Sequence, residues 1–195
     1  MSIDLLVIGL GYFGLALARE GVLSGLTVEG LDLNDEIVAG LNSGKSHVGD
    51  IPDEDIQHML VAGFRATSDK STVPLPTTIV ICVPIPLSAS DRPDLAAVCS
   101  AAETAGSLIQ PGALVVIGTT AYLGSTAEAV RAILETRSGL KAGKDFFLAF
   151  STERMDPGND QYGARNMPTP RVRSGLHRRR RAFGAGVAGS ARCRF

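Results

Sequence analysis

The chain has 195 residues, of which 45% are hydrophobic and 20% are charged, and its formal net charge is −1. This composition is typical of a globular protein and excludes a chain that is disordered or strongly basic along its whole length. The three cysteines lack the paired spacing of a disulfide framework or a zinc site, so we expect Cys82 and Cys99 to be small buried residues.

Charge nevertheless divides the chain into two unlike parts. Residues 1–164 contain ten Lys or Arg and all twenty acidic residues, whereas residues 165–195 contain nine Arg and no acidic residue. The second part also lacks an apolar period, and such a composition cannot bury enough surface to order itself. We therefore expect a folded domain over residues 1–164 and an Arg-rich, disordered or aberrant tail over residues 165–195.

A strand, a glycine motif and a helix follow one another at the start of the chain. The branched apolar run at residues 3–8 predicts a buried strand, and residues 13–24 predict a helix. Gly9, Gly11 and Gly14 have the G-x-G-x-x-G spacing of dinucleotide-binding loops. In such loops the first glycine makes a tight turn, the second admits the pyrophosphate and the third lets the helix pack on the strand. This order favours a dinucleotide site over an ordinary buried βα turn.

A second strand is predicted over residues 26–32, and it ends in Asp32, eighteen residues after Gly14. A carboxylate at about this separation accepts hydrogen bonds from the ribose of a bound dinucleotide. Asp35 and Glu36 would repel a 2′-phosphate, which favours NAD over NADP. The alternative is that Asp32 only caps the helix predicted over residues 35–41.

The remaining elements alternate between helix and strand. We predict helices over residues 52–61, 94–108 and 125–136, and strands over residues 64–67, 77–83, 113–117 and 145–150. His47 and His58 have no second ligand at metal spacing, so we expect surface or packing roles for both. The alternation predicts an α/β fold: a Rossmann-like doubly wound parallel sheet followed by an irregular basic tail. Ligands of such sheets bind at the carboxyl ends of the strands.

Five segments at these strand ends together resemble the nucleotide-sugar 6-dehydrogenases, which use two NAD to oxidise the C6 alcohol of a UDP-hexose or UDP-N-acetylhexosamine to a carboxylate. The segments are residues 9–15, 30–34, 81–87, 119–126 and 150–159, so the resemblance covers the chain to about residue 160. The last segment is slightly more similar to the N-acetylhexosamine branches, which act on UDP-N-acetylglucosamine or UDP-N-acetylmannosamine, than to the UDP-glucose branch.

The resemblance implies roles for individual residues. The implied cofactor-binding residues are Gly9, Gly11, Tyr12, Phe13, Gly14, Asp32, Val83, Pro84, Pro86 and Thr120. Thr120 would also position a water, and Glu153 would act with it as the acid–base group, beside Arg154 at the substrate. The alternative for Glu153 and Arg154 is an ordinary exposed ion pair. Compared with the usual family pattern, Ile85 replaces Thr, Gly118 replaces Glu, and Leu123 and Thr152 each replace Pro.

In the family, the cysteine that carries the thiohemiacetal and thioester, the sugar-nucleotide domain and the dimer helix all lie well beyond the position of residue 160. Cys193 has none of the motif that surrounds that cysteine. We therefore expect the NAD-binding part of such an enzyme, inactive alone, with an out-of-frame or truncated continuation. The family's partners are a UDP-sugar substrate and a second copy of the enzyme.

Two alternative functions stay open. Another dehydrogenase, of the 3-hydroxyacid or 6-phosphogluconate type, would share the glycine motif but would not explain residues 153–159. A non-catalytic dinucleotide-binding module could use the Arg-rich tail as a basic arm for nucleic acid, but the tail lacks interleaved aromatic residues. We find no pattern of a signal peptide or a membrane span, so we expect a cytoplasmic protein.

Overall fold

The apolar runs of the sequence form six strands in the computed structural model, which describes residues 2–86, 93–118 and 125–151, without the side chains of residues 125 and 126. The strands are β1 (Ser2–Ile8), β2 (Val28–Leu31), β3 (Arg65–Thr67), β4 (Leu75–Ile81), β5 (Leu114–Ile117) and β6 (Phe147–Phe150). They make one parallel sheet in the order β3-β2-β1-β4-β5-β6. The order reverses between β1 and β4, which is the crevice where parallel sheets of this kind bind ligands.

Helices cover both faces of the sheet. They are α1 (Tyr12–Leu23), α2 (Asp35–Asn42), α3 (Asp53–Val61), α4 (Ala96–Leu108) and α5 (Ser125–Ser138), with a 3₁₀ turn at Lys70–Thr72. The Rossmann-like doubly wound fold predicted from the sequence is therefore confirmed over the described residues. No helix within those ranges is both long enough and apolar enough to cross a membrane.

Successive residues of a strand point to opposite faces, so the sheet carries two separate apolar cores. On one face, Leu6 and Ile79 pack with the α4 residue Ala102. On the other face, Val7 packs with the α1 residue Leu15. Because both faces are covered, the second halves of β1 and β4 are apolar at every position, at residues 5–8 and 79–81, and these continuous runs could be recognised in the sequence.

The boundary of β4 differs from the prediction. The strand spans Leu75–Ile81 and not residues 77–83, so it ends two residues earlier than expected. Pro84 has no N–H to donate and restricts the preceding residue Val83, so the regular ladder does not continue to that point. The two helices predicted least closely are α4, which begins at Ala96, and α5, which ends at Ser138.

A half-buried carboxylate lies on β2. Glu29 is aligned with Arg65 of β3, and its Oε2 atom is buried with no hydrogen-bond partner among the described residues. Burial raises the pKa of the Glu29 carboxyl, and the nearby charge of Arg65 opposes this effect only in part. The charged form of Glu29 is therefore less stable in the folded protein than in the unfolded chain.

This raised pKa predicts how stability depends on pH. The contribution of Glu29 to stability is fully present below its unfolded-state pKa and is lost as the pH rises through its higher folded-state pKa. Glu29→Gln should therefore increase the free energy of unfolding at about pH 7 and change it little at about pH 3, measured by urea unfolding. The control is Glu54→Gln, which removes an exposed carboxylate from the first turn of α3 and should slightly lower stability at neutral pH. A lower free energy of unfolding for Glu29→Gln at neutral pH would contradict the assignment.

Candidate cofactor site at the carboxyl edge of the sheet

Hydrogen bonds between neighbouring strand ends align the carboxyl edge of the sheet. Gly9 N donates to Leu31 O at 2.8 Å, and Gly118 N donates to Ile81 O at 2.9 Å. Cys82 N makes the corresponding bond to the last carbonyl of β1, at 2.7 Å. The residues that follow β1, β2, β4 and β5 are therefore held side by side along one edge.

Gly9 is required by both its conformation and its surroundings. Its φ angle of +92° lies in the region that favours glycine. A Cβ at this position would lie 3.0 Å from the carbonyl carbon and oxygen of Cys82 and 3.1 Å from Cγ1 of Val83. The loop after β1 therefore passes directly against the end of β4.

Gly14 and Gly11 differ in the space around them. A Cβ at Gly14 would overlap the carbonyl oxygen of Gly9 and would lie 3.2 Å from Cβ of Cys82. Gly14 therefore allows α1 to pack against the loop that precedes it. A Cβ at Gly11 would meet nothing within 4 Å among the described residues.

The space beside Gly11 lies at the N-terminus of α1. Gly11 is the N-cap residue, and no side chain caps the helix. The first N–H groups of a helix carry a partial positive charge and bind anions such as a phosphate. An open approach to an uncapped helix N-terminus fits the diphosphate of a dinucleotide.

Asp32 lies next to this loop and is oriented by its backbone. Its Oδ2 atom accepts a hydrogen bond from Leu10 N at 2.7 Å, and its Oδ1 atom accepts one from Asn34 N at 2.9 Å. A carboxylate has about four acceptor positions, so each oxygen can accept one more hydrogen bond. A pair of ribose hydroxyls fits this remaining capacity.

The alternative role of Asp32 as a helix cap is wrong. Asn34 is the N-cap of α2, and its Oδ1 atom accepts from Glu36 N at 2.9 Å and from Ile37 N at 3.3 Å. Asp32 is therefore available for a ligand, and Asp35 and Glu36 stand exposed in the first turn of α2 nearby.

Two contacts connect the segment between α2 and α3 to the glycine loop and to the start of α1, and the sequence did not predict them. His47 Nε2 lies 2.9 Å from Leu10 O, and the Tyr12 hydroxyl donates to the Asp50 carboxylate. The His47 contact joins residues that are 37 positions apart, so no local sequence pattern predicts it. His47 and His58 are both exposed, as expected for surface or packing residues, and His47 also contacts the glycine loop.

The remaining predicted residues divide into two groups. Val83 is half-buried against the core and close to Gly9, while Pro84 and Pro86 are exposed at the same edge. The predicted residues outside the described ranges are Thr120, Glu153 and Arg154.

Cys82 and Cys99 are half-buried, so the expectation of full burial is only partly met. No group of three His, Cys, Asp or Glu in the described part of the chain could hold a metal ion.

Comparison with known proteins agrees with this geometry. Residues 3–176 match the model of the UDP-glucose/GDP-mannose dehydrogenase family, NAD binding domain. Protein CapL of Staphylococcus aureus is 34% identical over 161 residues, which are 82% of this chain and 37% of CapL. The UDP-N-acetyl-D-mannosamine dehydrogenase of Pyrococcus horikoshii is 36% identical over 154 residues, which are 78% of this chain and 36% of that enzyme.

A solved structure shows the same likeness. The UDP-D-ManNAc dehydrogenase from Pyrococcus horikoshii superimposes with a TM-score of 0.74 at 35% identity, over 81% of this chain and 37% of that one. The chain therefore spans only slightly more than a third of the length of the relatives that it matches.

The same substitution should have different effects at Gly11, the N-cap of α1, and at Gly14 within α1. Gly14→Ala should lower the free energy of unfolding by about 1–3 kcal/mol, because its Cβ overlaps the backbone of Gly9. Gly11→Ala should leave stability within about 0.5 kcal/mol, because its Cβ enters open space. Gly11→Ala should nevertheless weaken NAD binding by about tenfold or more, measured by calorimetry, because the methyl occupies the approach to the helix N-terminus. Wild-type affinity in Gly11→Ala would show that the diphosphate lies elsewhere.

Proposed function

Since the chain belongs to the UDP-glucose/GDP-mannose dehydrogenase family, we propose that it provides the NAD-binding part of an enzyme that oxidises the C6 alcohol of a UDP-sugar to a carboxylate. The observation that carries the proposal is the open, uncapped N-terminus of α1 at Gly11, with the Asp32 carboxylate beside it. The matched region of the family is its NAD-binding domain, and NAD is the cofactor of that domain. The cytoplasmic location expected from the sequence stays part of this proposal.

The cofactor would lie across the reversal of strand order between β1 and β4. The adenosine half belongs on the β2 side, where Asp32 can accept from the ribose hydroxyls. The diphosphate belongs at the N-terminus of α1, where Gly11 leaves space for it. The nicotinamide half then belongs on the side of β4 and β5, near Val83 and the exposed prolines Pro84 and Pro86. When bound, NAD supplies the hydride acceptor for the oxidation.

Residues after β5 and β6 are proposed to supply the acid–base chemistry. Loss of a hydride from an alcohol carbon requires removal of the hydroxyl proton, and hydrolysis of a thioester requires an activated water. By the family resemblance, Thr120 positions that water and Glu153 moves the proton, with Arg154 at the substrate. Ile117 and Phe150 are aligned partners, and Ser151 N donates to Ile117 O at 2.9 Å. The ends of β5 and β6 therefore start these two segments from adjacent points.

The substrate class proposed is a UDP-hexose or UDP-N-acetylhexosamine. The segment at residues 150–159 and the likeness to a UDP-N-acetyl-D-mannosamine dehydrogenase favour the N-acetylhexosamine. The chain covers slightly more than a third of the length of its relatives. We therefore propose, on family resemblance alone, that the complete enzyme also has a catalytic cysteine and a sugar-recognition domain and pairs with a second copy of itself.

The proposal predicts a preference between the two nicotinamide cofactors. The 195-residue chain should bind NAD at least about tenfold more tightly than NADP, because Asp32, Asp35 and Glu36 repel a 2′-phosphate. Asp32→Asn should weaken NAD binding by about tenfold or more, because the amide replaces one acceptor oxygen with a donor. The control is Asp4→Asn, near the amino end of β1 and therefore at the end of the sheet away from the cofactor. This variant should leave NAD affinity unchanged in titration calorimetry.

The same samples test whether the 195-residue chain oxidises a UDP-sugar by itself. Mixtures of the 195-residue polypeptide with NAD and UDP-sugars should show no increase in absorbance from the reduced cofactor. Failure of the wild-type chain to bind NAD would overturn the proposed function. Sustained turnover would overturn the expectation that this polypeptide is inactive by itself.

A further inference from the structure

We propose that Phe13 forms an apolar wall for the nicotinamide half of the cofactor, and that the position of the Phe13 ring requires a small residue at position 118. The inference rests on the proposed function and adds a pair of residues that sets the shape of the cleft. Phe13 belongs to the first turn of α1, whereas Gly118 follows β5, so the pair connects the two halves of the fold.

The backbone at Gly118 does not itself require glycine. Its φ angle lies outside the positive range in which side chains are strained. Gly118 N donates to Ile81 O at 2.9 Å, which is ordinary strand-end geometry. The reason for a small residue must therefore be the space around it.

That space is occupied by the ring of Phe13. A Cβ at residue 118 would lie 3.0 Å from Cε1 of Phe13, closer than its distances of 3.4 Å to Val80 Cγ1 and 3.5 Å to Ile81 O. Interiors are packed densely enough that a side chain longer than a methyl at this position would displace the ring. Gly118 is buried in the present arrangement.

Phe13 is placed for contact with a ligand. It is half-buried, and neither of the two core clusters of the described residues includes it. Its ring reaches from the N-terminus of α1 to the end of β5, across the crevice between the two halves of the sheet. In the proposed function, Asp32 assigns the adenosine half to the β2 side, and the closeness of the ring to Gly118 places Phe13 on the β5 side, which is left for the nicotinamide.

In this placement, Phe13 and Gly118 influence the binding of the nicotinamide half of the cofactor and not that of the adenosine half. ADP-ribose has the adenosine and diphosphate of NAD but lacks the nicotinamide ring. A change at Phe13 or Gly118 should therefore affect NAD and leave ADP-ribose binding intact. A general disturbance of the glycine loop would affect the two ligands equally.

The experiment is calorimetric titration of the full 195-residue chain with NAD and with ADP-ribose. Gly118→Val should weaken NAD by about tenfold while ADP-ribose stays within about twofold. In the double variant Gly118→Val with Phe13→Ala, the binding of NAD should equal that of Phe13→Ala alone, because the displaced ring is absent. The control is Gly40→Ala in α2, whose Cβ would make only an ordinary contact of 3.8 Å with Lys45 O and which should bind both ligands normally.

Three results would overturn the inference: equal losses for NAD and ADP-ribose, no loss for either, or losses in the two single variants that multiply in the double variant. If Gly118→Val does not fold, Phe13→Ala alone decides, since it should weaken NAD and spare ADP-ribose. A wild-type chain that binds neither ligand would instead remove the proposed function on which the inference rests.

Discussion

The close contact between the glycine loop and the end of β4 is the constraint on which the rest of the site depends. Gly9 lies against the carbonyl of Cys82, and Gly14 lies against the carbonyl of Gly9, so neither position has room for a side chain. This double contact holds α1 over the reversal of strand order between β1 and β4. The uncapped N-terminus of α1 then faces the crevice at Gly11. The proposed phosphate-binding position thus results from backbone packing, with no charged side chain needed to create it.

The two sides of this contact have different chemistry. On the β2 side, the Asp32 carboxylate accepts from Leu10 N, while His47 contacts Leu10 O, so the two peptide groups that flank Leu10 are both fixed. A loop fixed in this way loses little entropy when a ligand binds. On the β5 side, the ring of Phe13 lies against Gly118. In the proposed function, the Asp32 carboxylate belongs to the ribose half of the cofactor and the Phe13 ring to the nicotinamide half.

The order of elements predicted from the sequence is confirmed, because continuous apolar runs are a local signal of strands that are covered on both faces. The spacing between Gly14 and Asp32 is also a local signal, and Asp32 as the ribose acceptor stays a prediction. Sequence alone could not separate the two roles of Asp32, because Asn34 offers the same capping chemistry two residues later. The contacts of His47 and Gly118 join distant parts of the chain, so only the folded structure reveals them. Thr120, Glu153 and Arg154 stay predictions.

The central claim is that NAD binds across the glycine loop, with its adenosine at Asp32 and its diphosphate at the N-terminus of α1. A crystal structure of the 195-residue chain with NAD tests it most directly. The account predicts ribose hydroxyls within hydrogen-bond distance of the Asp32 carboxylate and diphosphate oxygens within hydrogen-bond distance of the N–H groups of Tyr12 and Phe13, about 2.7–3.2 Å. A diphosphate bound away from Gly11, or an adenosine on the β5 side of the sheet, would contradict it.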